Sequence, residues 1–232
     1  MYNITMNIKD EFLEIYNKHI KREGAEKLLA WLESSDFFTC PASTRFHSNF
    51  EGGLVTHSIN VYNRLVELVK NEYGESYQNV VSDESLAIMG LLHDVCKVNT
   101  YKTEYKNTKV YSENGKKIDE LGKFDWQPKP VFVVADDLPY GHGEKSVYML
   151  CGFIKLTREE AMAINWHMSG FDMRVKGGSF AISDAYYQFP VAVLLAMADM
   201  MASYLDEKIV KWVYSAIVYI IYIFIILILS II

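Results

Sequence analysis

Six histidines occur among the 232 residues, and five of them, His47, His57, His93, His142 and His167, stand beside glycines, on apolar helical stripes or next to an aspartate. His19, in NKHIKRE, has the surroundings of a solvated helix end and is given no role. Any one histidine in a helix is most simply a satisfied core or surface residue. The group as a whole asks for more. His93-Asp94 lies in LLHDV, whose leucines and valine mark a buried segment, and a buried carboxylate is costly unless it is paired or bound to a metal. Asp199 poses the same problem within VAVLLAMADMMASYL, where no positive charge occurs from Pro190 to Leu205. One divalent cation held by nitrogen and oxygen ligands answers both. No thiolate is required, and Cys40, Cys96 and Cys151 are too scattered for a disulfide framework or a Cys-x-x-Cys clip, which fits a reducing, intracellular setting.

The elements that must position these residues are mostly helical. Apolar residues at helical spacing predict helices over 8–20 and 23–34, and a third opening at Gly52-Gly53, where His57 shares the stripe Leu54, Val61, Leu65, Leu68. A fourth starts at the Ser82 cap and is expected to run through AIMGLLHDVCK to about Lys97. From about Thr100 to Asp136 the period shortens to alternating runs with an Asn114-Gly115 turn signal, predicting a small β-hairpin insertion. Helices return at about 143–155, 158–168 and 190–206, the second opened by Thr157 and the third by Pro190. No repeat or linker divides residues 1–207, so residues 1–44 are expected to pack as N-terminal helices on a core domain of 45–207. The predicted class is mainly α: a helical bundle with a β-hairpin insertion and an apolar C-terminal helix.

The order His … His-Asp … Asp, with further histidines between, resembles the HD superfamily of metal-dependent phosphohydrolases. The resemblance rests on FHSNFEGGLVTHS at 46–58, LLHDVCK at 91–97, GHGEKS at 141–146, INWH at 164–167 and ADMMASYLDE at 198–207. It implies a helical HD domain, and a primary metal site of His57, His93, Asp94 and Asp199. In members with a second metal the matching positions here are His142 and His167, with Asp94 bridging the ions. Where such members often pair histidines this chain has His167-Met168, and the family's glycine after His-Asp is Cys96 here while its lysine is kept as Lys97. The implied activity is hydrolysis of a phosphate ester or phosphodiester, such as that of a nucleotide, by a metal-activated water. Mixed His/Asp ligation suits Mn, Fe, Co, Ni or Mg, one ion or two.

Asp94 and Lys97 are the candidate catalytic residues; Lys97 could reach Asp94 or a substrate phosphate, or be a surface cation at a helix C-terminus. His47, ten residues before His57 across the glycine break, is a candidate substrate-binding group on a loop at the mouth of the site, or else a capping histidine. Gly141-His142-Gly143 precedes a helix, where an anion meets free N–H groups. Arg174 is the nearest basic substrate-binding candidate, with Lys176, in FDMRVKGG within a long loop, the alternative being that both are simply solvated. Two other functions compete with the small-molecule phosphohydrolase. A 3′-5′ exoribonuclease of the HD type would take single-stranded RNA, although residues 1–44 leave no room for a preceding OB domain. A metal-binding regulatory module would keep the ligands without turnover.

With 23 Lys+Arg against 29 Asp+Glu, the net charge of −6 argues against a protein that wraps duplex nucleic acid in cations. Half of the chain is apolar, but residues 212–232 carry no charge and only Ser215 and Ser230 as polar side chains. As a helix these 21 residues would span about 31 Å, enough for a bilayer core. Lys208 and Lys211 before them would keep the domain cytoplasmic, so the membrane enters as a partner if the tail inserts. The alternative is an unselected Ile-rich tail, nine of its 21 residues being Ile. The N-terminus meets charge too early for a secretory signal, and the expected location is the cytoplasm.

Overall fold

The computed structural model describes residues 7–207. Among these residues the chain forms nine α-helices and one three-stranded antiparallel sheet: α1 Ile8–His19, α2 Ala25–Ser34, α3 Gly53–Tyr73, α4 Asp83–Leu92, β1 Tyr101–Tyr111, β2 Lys117–Asp119, β3 Gly122–Val134, α5 His142–Cys151, α6 Arg158–Trp166, α7 Met173–Lys176, α8 Ala181–Gln188 and α9 Val191–Met201. The expected mainly helical class is therefore found. The expected apolar tail helix lies outside the described residues. Within them no single helix is long and apolar enough to cross a membrane.

Helix α3 is the axis of the body. It packs against α4 and α9, α6 packs against α9 and α5, and α1 covers α3 and α4. Phe12, Tyr16 and Leu28 from the first two helices share one core with Leu54, Leu65, Leu91, Ile164 and Leu195. Helix starts follow the sequence signals: Ser82 Oγ accepts the Ser85 N–H before α4, and Thr157 with Glu160 forms a reciprocal capping box before α6. Arg22 ties the α1–α2 turn to this frame, donating to both Glu160 oxygens at 2.7 and 2.8 Å.

Two glycines set how closely the helices that carry the histidines approach. A Cβ on Gly90 of α4 would lie 2.5 Å from the Tyr62 Cα in α3, and one on Gly143 of α5 would lie 2.3 Å from the Asn165 carbonyl oxygen in α6. Only glycine permits these backbone contacts. The first brings the end of α4 beside α3; the second brings the start of α5 beside the end of α6.

The structure departs from the sequence reading at four places. Helix α4 stops at Leu92, His93 is its C-cap, and Val95–Lys97 form a separate 3-10 turn, where the apolar run had suggested one helix to Lys97. The inserted hairpin is a longer ribbon, with β1 and β3 paired from Tyr101↔Val134 to Tyr111↔Phe124 and the short β2 added on the far edge of β3. Helices α7 and α8 occupy a stretch read as a long loop. The last helix ends at Met201 and continues as a π turn over Ala202–Asp206.

Candidate metal centre

Five imidazoles form a continuous row across the interior. Ring centroids are 4.7 Å apart for His47–His57, 5.2 Å for His57–His93, 4.9 Å for His93–His167 and 5.2 Å for His142–His167. They come from the 41–52 loop, α3, and the ends of α4, α6 and α5. The carboxylate of Asp94, just past the end of α4 and only 2% exposed, lies against this row.

Each Asp94 oxygen faces a different pair. Oδ2 lies 3.5 Å from His57 Nε2 and 3.6 Å from His93 Nε2, and accepts from Lys97 Nζ at 2.5 Å. Oδ1 lies 2.7 Å from His142 Nε2 and 3.4 Å from His167 Nε2. Asp199 Oδ1 adds a second carboxylate on the first side, 3.2 Å from His57 Nε2. The structure thus brings together His57, His93, Asp94, Asp199, His142, His167 and Lys97, with His47 at one end of the row.

Hydrogen bonding fixes which nitrogen each ring presents. His93 and His167 are both the C-cap of a helix, and each Nδ1 contacts the carbonyl three residues back: Gly90 at 2.9 Å and Ile164 at 2.6 Å. A carbonyl only accepts, so each Nδ1 is the donor and each ring turns its Nε2 inward. His57 repeats the arrangement with a carboxylate: its Nδ1 donates to Glu207 Oε1 at 2.8 Å. Such a carboxylate or carbonyl behind a ring nitrogen is the usual support of a metal-ligating histidine.

This leaves His57 Nε2 and His93 Nε2 facing each other at 3.3 Å. Two lone pairs cannot meet at that distance without a positive charge between them. A proton on His57 serves: burial opposes it, but Asp199 and Glu207 raise His57 to about 9, while burial lowers His93 to about 3. His142 is raised to about 10 against the same cost of burial, by Cys96 and Asp94. Burial would push the Asp94 carboxyl up; Lys97 and the neighbouring imidazoles outweigh it and hold it well below the ordinary carboxylate range. His167 Nε2, in a residue 1% exposed, is buried with no hydrogen-bond partner among the described residues.

Four triplets of these side chains have ligand atoms mutually close enough to share an ion: His57, His93 and Asp94; His93, His167 and Asp199; Asp94, Cys96 and His142; and His47, His57 and Glu207. Ligands about 2.0–2.2 Å from a common ion lie about 3.0–3.6 Å from one another, the range of the Asp94 contacts with His57, His93 and His167, while His142 is closer at 2.7 Å. The donor set fits a divalent cation. Its binding would displace the protons on His57 and His142.

Comparison with protein-family models, with curated proteins and with solved structures gives no match to this chain. What it has in common with known chemistry is therefore a mainly helical fold and a buried His/Asp cluster able to hold metal.

A cavity of about 780 Å³ opens over the centre. Asp94, Asp199, His142, His167, Lys97, His47 and Lys176 line it, together with Phe46, Tyr101, Phe171 and Tyr204. His47 is among the lining residues, its ring lowered to about 4 by burial and then by the neighbouring His57 and Lys97 charges. Arg174 is a correction: it does not line the cavity. Its guanidinium pairs with Asp172 at 2.7 Å and Glu144 at 2.8 Å and lies 3.9 Å over the Trp166 ring, bracing α7 against α5 and α6.

Glu207 was missed by sequence reasoning. Besides His57 it accepts from Ser48 Oγ at 2.6 Å and Asn60 Nδ2 at 3.1 Å. Burial would raise its carboxyl, but the His57, Ser48 and Asn60 hydrogen bonds hold it below its usual value. The π turn after α9 swings it inward, and such turns recur at functional sites.

Proposed function

We propose that this protein is a metal-dependent phosphohydrolase of the HD type, cleaving a phosphate ester or phosphodiester of a nucleotide-sized substrate. The observation that carries the reading is the Asp94 carboxylate, one oxygen toward His57 and His93 and the other toward His142 and His167. His57, His93, Asp94 and Asp199 would hold one ion, and Asp94, His142 and His167 a second. Divalent ions held there acidify a water and polarise a phosphoryl oxygen; Mn, Fe, Co, Ni and Mg all suit such ligands.

The remaining side chains supply binding and orientation. Lys97 neutralises Asp94 and lines the cavity, so its ammonium is placed for a phosphate oxygen while it keeps Asp94 ionised. Lys176, which also lines the cavity, adds a second cation. Burial and neighbouring charge keep His47 neutral at pH 7, and a neutral imidazole can accept a proton from a group bound beside it or orient one. The aromatic walls fit a flat, apolar body behind an anionic head. The volume lies within the usual range for small-molecule sites, about 300–1,000 Å³.

The test is hydrolysis of nucleoside phosphates, cyclic dinucleotides and a generic phosphodiester by the Mn- or Co-loaded protein. Turnover should appear with at least one substrate and vanish in the His93→Ala/Asp94→Ala double variant. Undiminished turnover in that variant would sink the reading.

Single-stranded RNA is a second candidate substrate, favoured by one feature. Tyr101 and Val134, at the root of the ribbon, line the cavity, and the same ribbon face continues through the paired positions Thr103↔Phe132, Tyr105↔Pro130 and Lys109↔Trp126. Tyr105 is 73% and Trp126 47% exposed, an open aromatic track on which bases could stack. A ladder of shortened products from end-labelled RNA would establish it.

A further inference from the structure

The thiol of Cys96 has no part in the ligand set argued so far, yet it stands inside it. Cys96 is 4% exposed, and its Sγ lies 3.4 Å from His142 Nδ1 and 3.5 Å from His142 Nε2. The placement is built into the backbone. Ending α4 at Leu92 turns Val95–Lys97 toward α5, and the Cys96 N–H donates to Ser146 Oγ at 3.2 Å, one turn along the helix that His142 begins. The carboxylate of Asp94, the sulfur of Cys96 and a ring nitrogen of His142 then lie within 4.8 Å of one another.

A second observation points to a ligand at the same place. His167 Nε2, buried and without a hydrogen-bond partner among the described residues, is 3.4 Å from the Asp94 oxygen that also meets His142. Asp94, Cys96 and His142 offer one oxygen, one sulfur and one nitrogen to a common ion, and His167 stands beside the same Asp94 oxygen. With bonds of about 2.3 Å to sulfur and about 2.0–2.1 Å to nitrogen, a tetrahedral ion separates its S and N ligands by about 3.6 Å. The two Cys96–His142 separations, 3.4 and 3.5 Å, are close to that. The other cysteines have no such company: Cys151 is exposed, and Cys40 is buried with its thiol pushed up, chiefly by that burial.

We propose that Cys96 is a thiolate ligand of the ion on the His142 side of Asp94, making that site a mixed N/O/S site. The proposal rests on the metal-binding reading above. On binding, the S–H bond is exchanged for a sulfur–metal bond and the proton leaves to solvent. Sulfur ligation shifts the preference of that site toward Zn, Co or Fe(II) and away from Mg or Mn, which favour oxygen. The two sides of Asp94 would then prefer different ions.

Titration of the full-length chain with Co²⁺, followed by absorption spectroscopy, tests this directly. The expected result is a near-ultraviolet sulfur-to-cobalt charge-transfer band that reaches the intensity of one thiolate per chain. Cys96→Ser, shown folded by circular dichroism, should abolish the band and keep cobalt bound at the His57 side. Its Zn²⁺ affinity at the lost site should fall by roughly tenfold or more, at least as much as losing a partner that merely orients a ligand. The Cys40→Ser/Cys151→Ser variant, with Cys96 as its only thiol, should keep the band, so the result does not hang on the folding of one mutant. Cobalt uptake with ligand-field bands and no sulfur band overturns thiolate ligation and leaves the metal reading standing. A chain that takes up neither Co²⁺ nor Zn²⁺ overturns both.

Discussion

On the Oδ2 side of Asp94 every ligand candidate has a fixed support, whereas on the Oδ1 side support is partial and one ring, His142, is partly exposed. His57 is backed by Glu207, which Ser48 and Asn60 hold in turn, His93 by the Gly90 carbonyl, and Asp199 by Ser203 Oγ at 3.3 Å. His57 and His93 are fully buried. Across the carboxylate, His167 is supported by the Ile164 carbonyl, but His142 keeps 30% of its side chain exposed and has Cys96 as its other neighbour. The difference teaches a division of labour. A preorganised pocket holds an ion tightly, because the orientation of its ligands was settled on folding. A half-open one can exchange its ion and meet a substrate.

Breaking the centre at its shared carboxylate should have the largest effect. Asp94→Asn removes a ligand from both sides at once, and hydrolysis in the presence of Mn²⁺ should fall by about 10³-fold or more, the scale of losing a principal electrostatic element. Steady-state rates on the best substrate of the panel measure it. Separating the sides comes next. His57→Ala should remove the tightly held ion and with it most activity, while His142→Ala should keep that ion and lose activity through the second; metal analysis after gel filtration distinguishes them. Equal losses of metal in the two variants would erase the proposed asymmetry.

Glu207→Gln sharpens the comparison. The amide keeps the shape but weakens the support behind His57, so metal affinity should drop by roughly 10–100-fold. A matched change on the other side, Cys96→Ser, should leave the affinity of the His57 side unchanged in the same competition assay.

Arg22→Met is the remote control, expected to leave both sides of Asp94 as they are. Glu160 is fully buried beneath Arg22, and removing the cation from a buried pair costs about 3–5 kcal/mol, here toward the lower end because Arg22 touches solvent. Burial pushes the Glu160 carboxyl up, but the Arg22 and Thr157 hydrogen bonds prevail and hold it below its usual value. The pair therefore stabilises the fold above the unfolded value of about pH 4.3, and that contribution is lost as the pH falls through the folded value. Urea unfolding between pH 3 and 7 should show this acid limb in the parent chain and a flatter one in Arg22→Met, with metal content per folded chain unchanged.

Much of the helical body was legible because caps and stripes are local signals: Ser82, Thr157 and the Leu54–Leu68 stripe act within a few residues of themselves. The ligand candidates were legible as misfits, polar groups such as Asp94 and Asp199 in apolar surroundings. What stayed hidden depends on distant parts of the chain. Nothing in LLHDVCKV tells a helix to stop at Leu92; the turn there is held by Ser146, fifty residues away from Cys96. Glu207 ends the run ADMMASYLDE with no apolar neighbour to mark it as buried, and the π turn that buries it has no local signature. Arg174 looked free because its partners, Glu144 and Trp166, lie on other helices.

The central claim is that Asp94 organises a cation site within the histidine row. Equilibrium dialysis of the folded chain against Mn²⁺ or Co²⁺, with metal counted per chain, tests it most directly. The account predicts at least one tightly held equivalent in the parent protein and its loss in Asp94→Asn. Equal metal retained by folded Asp94→Asn, or none taken up by the parent, would contradict it.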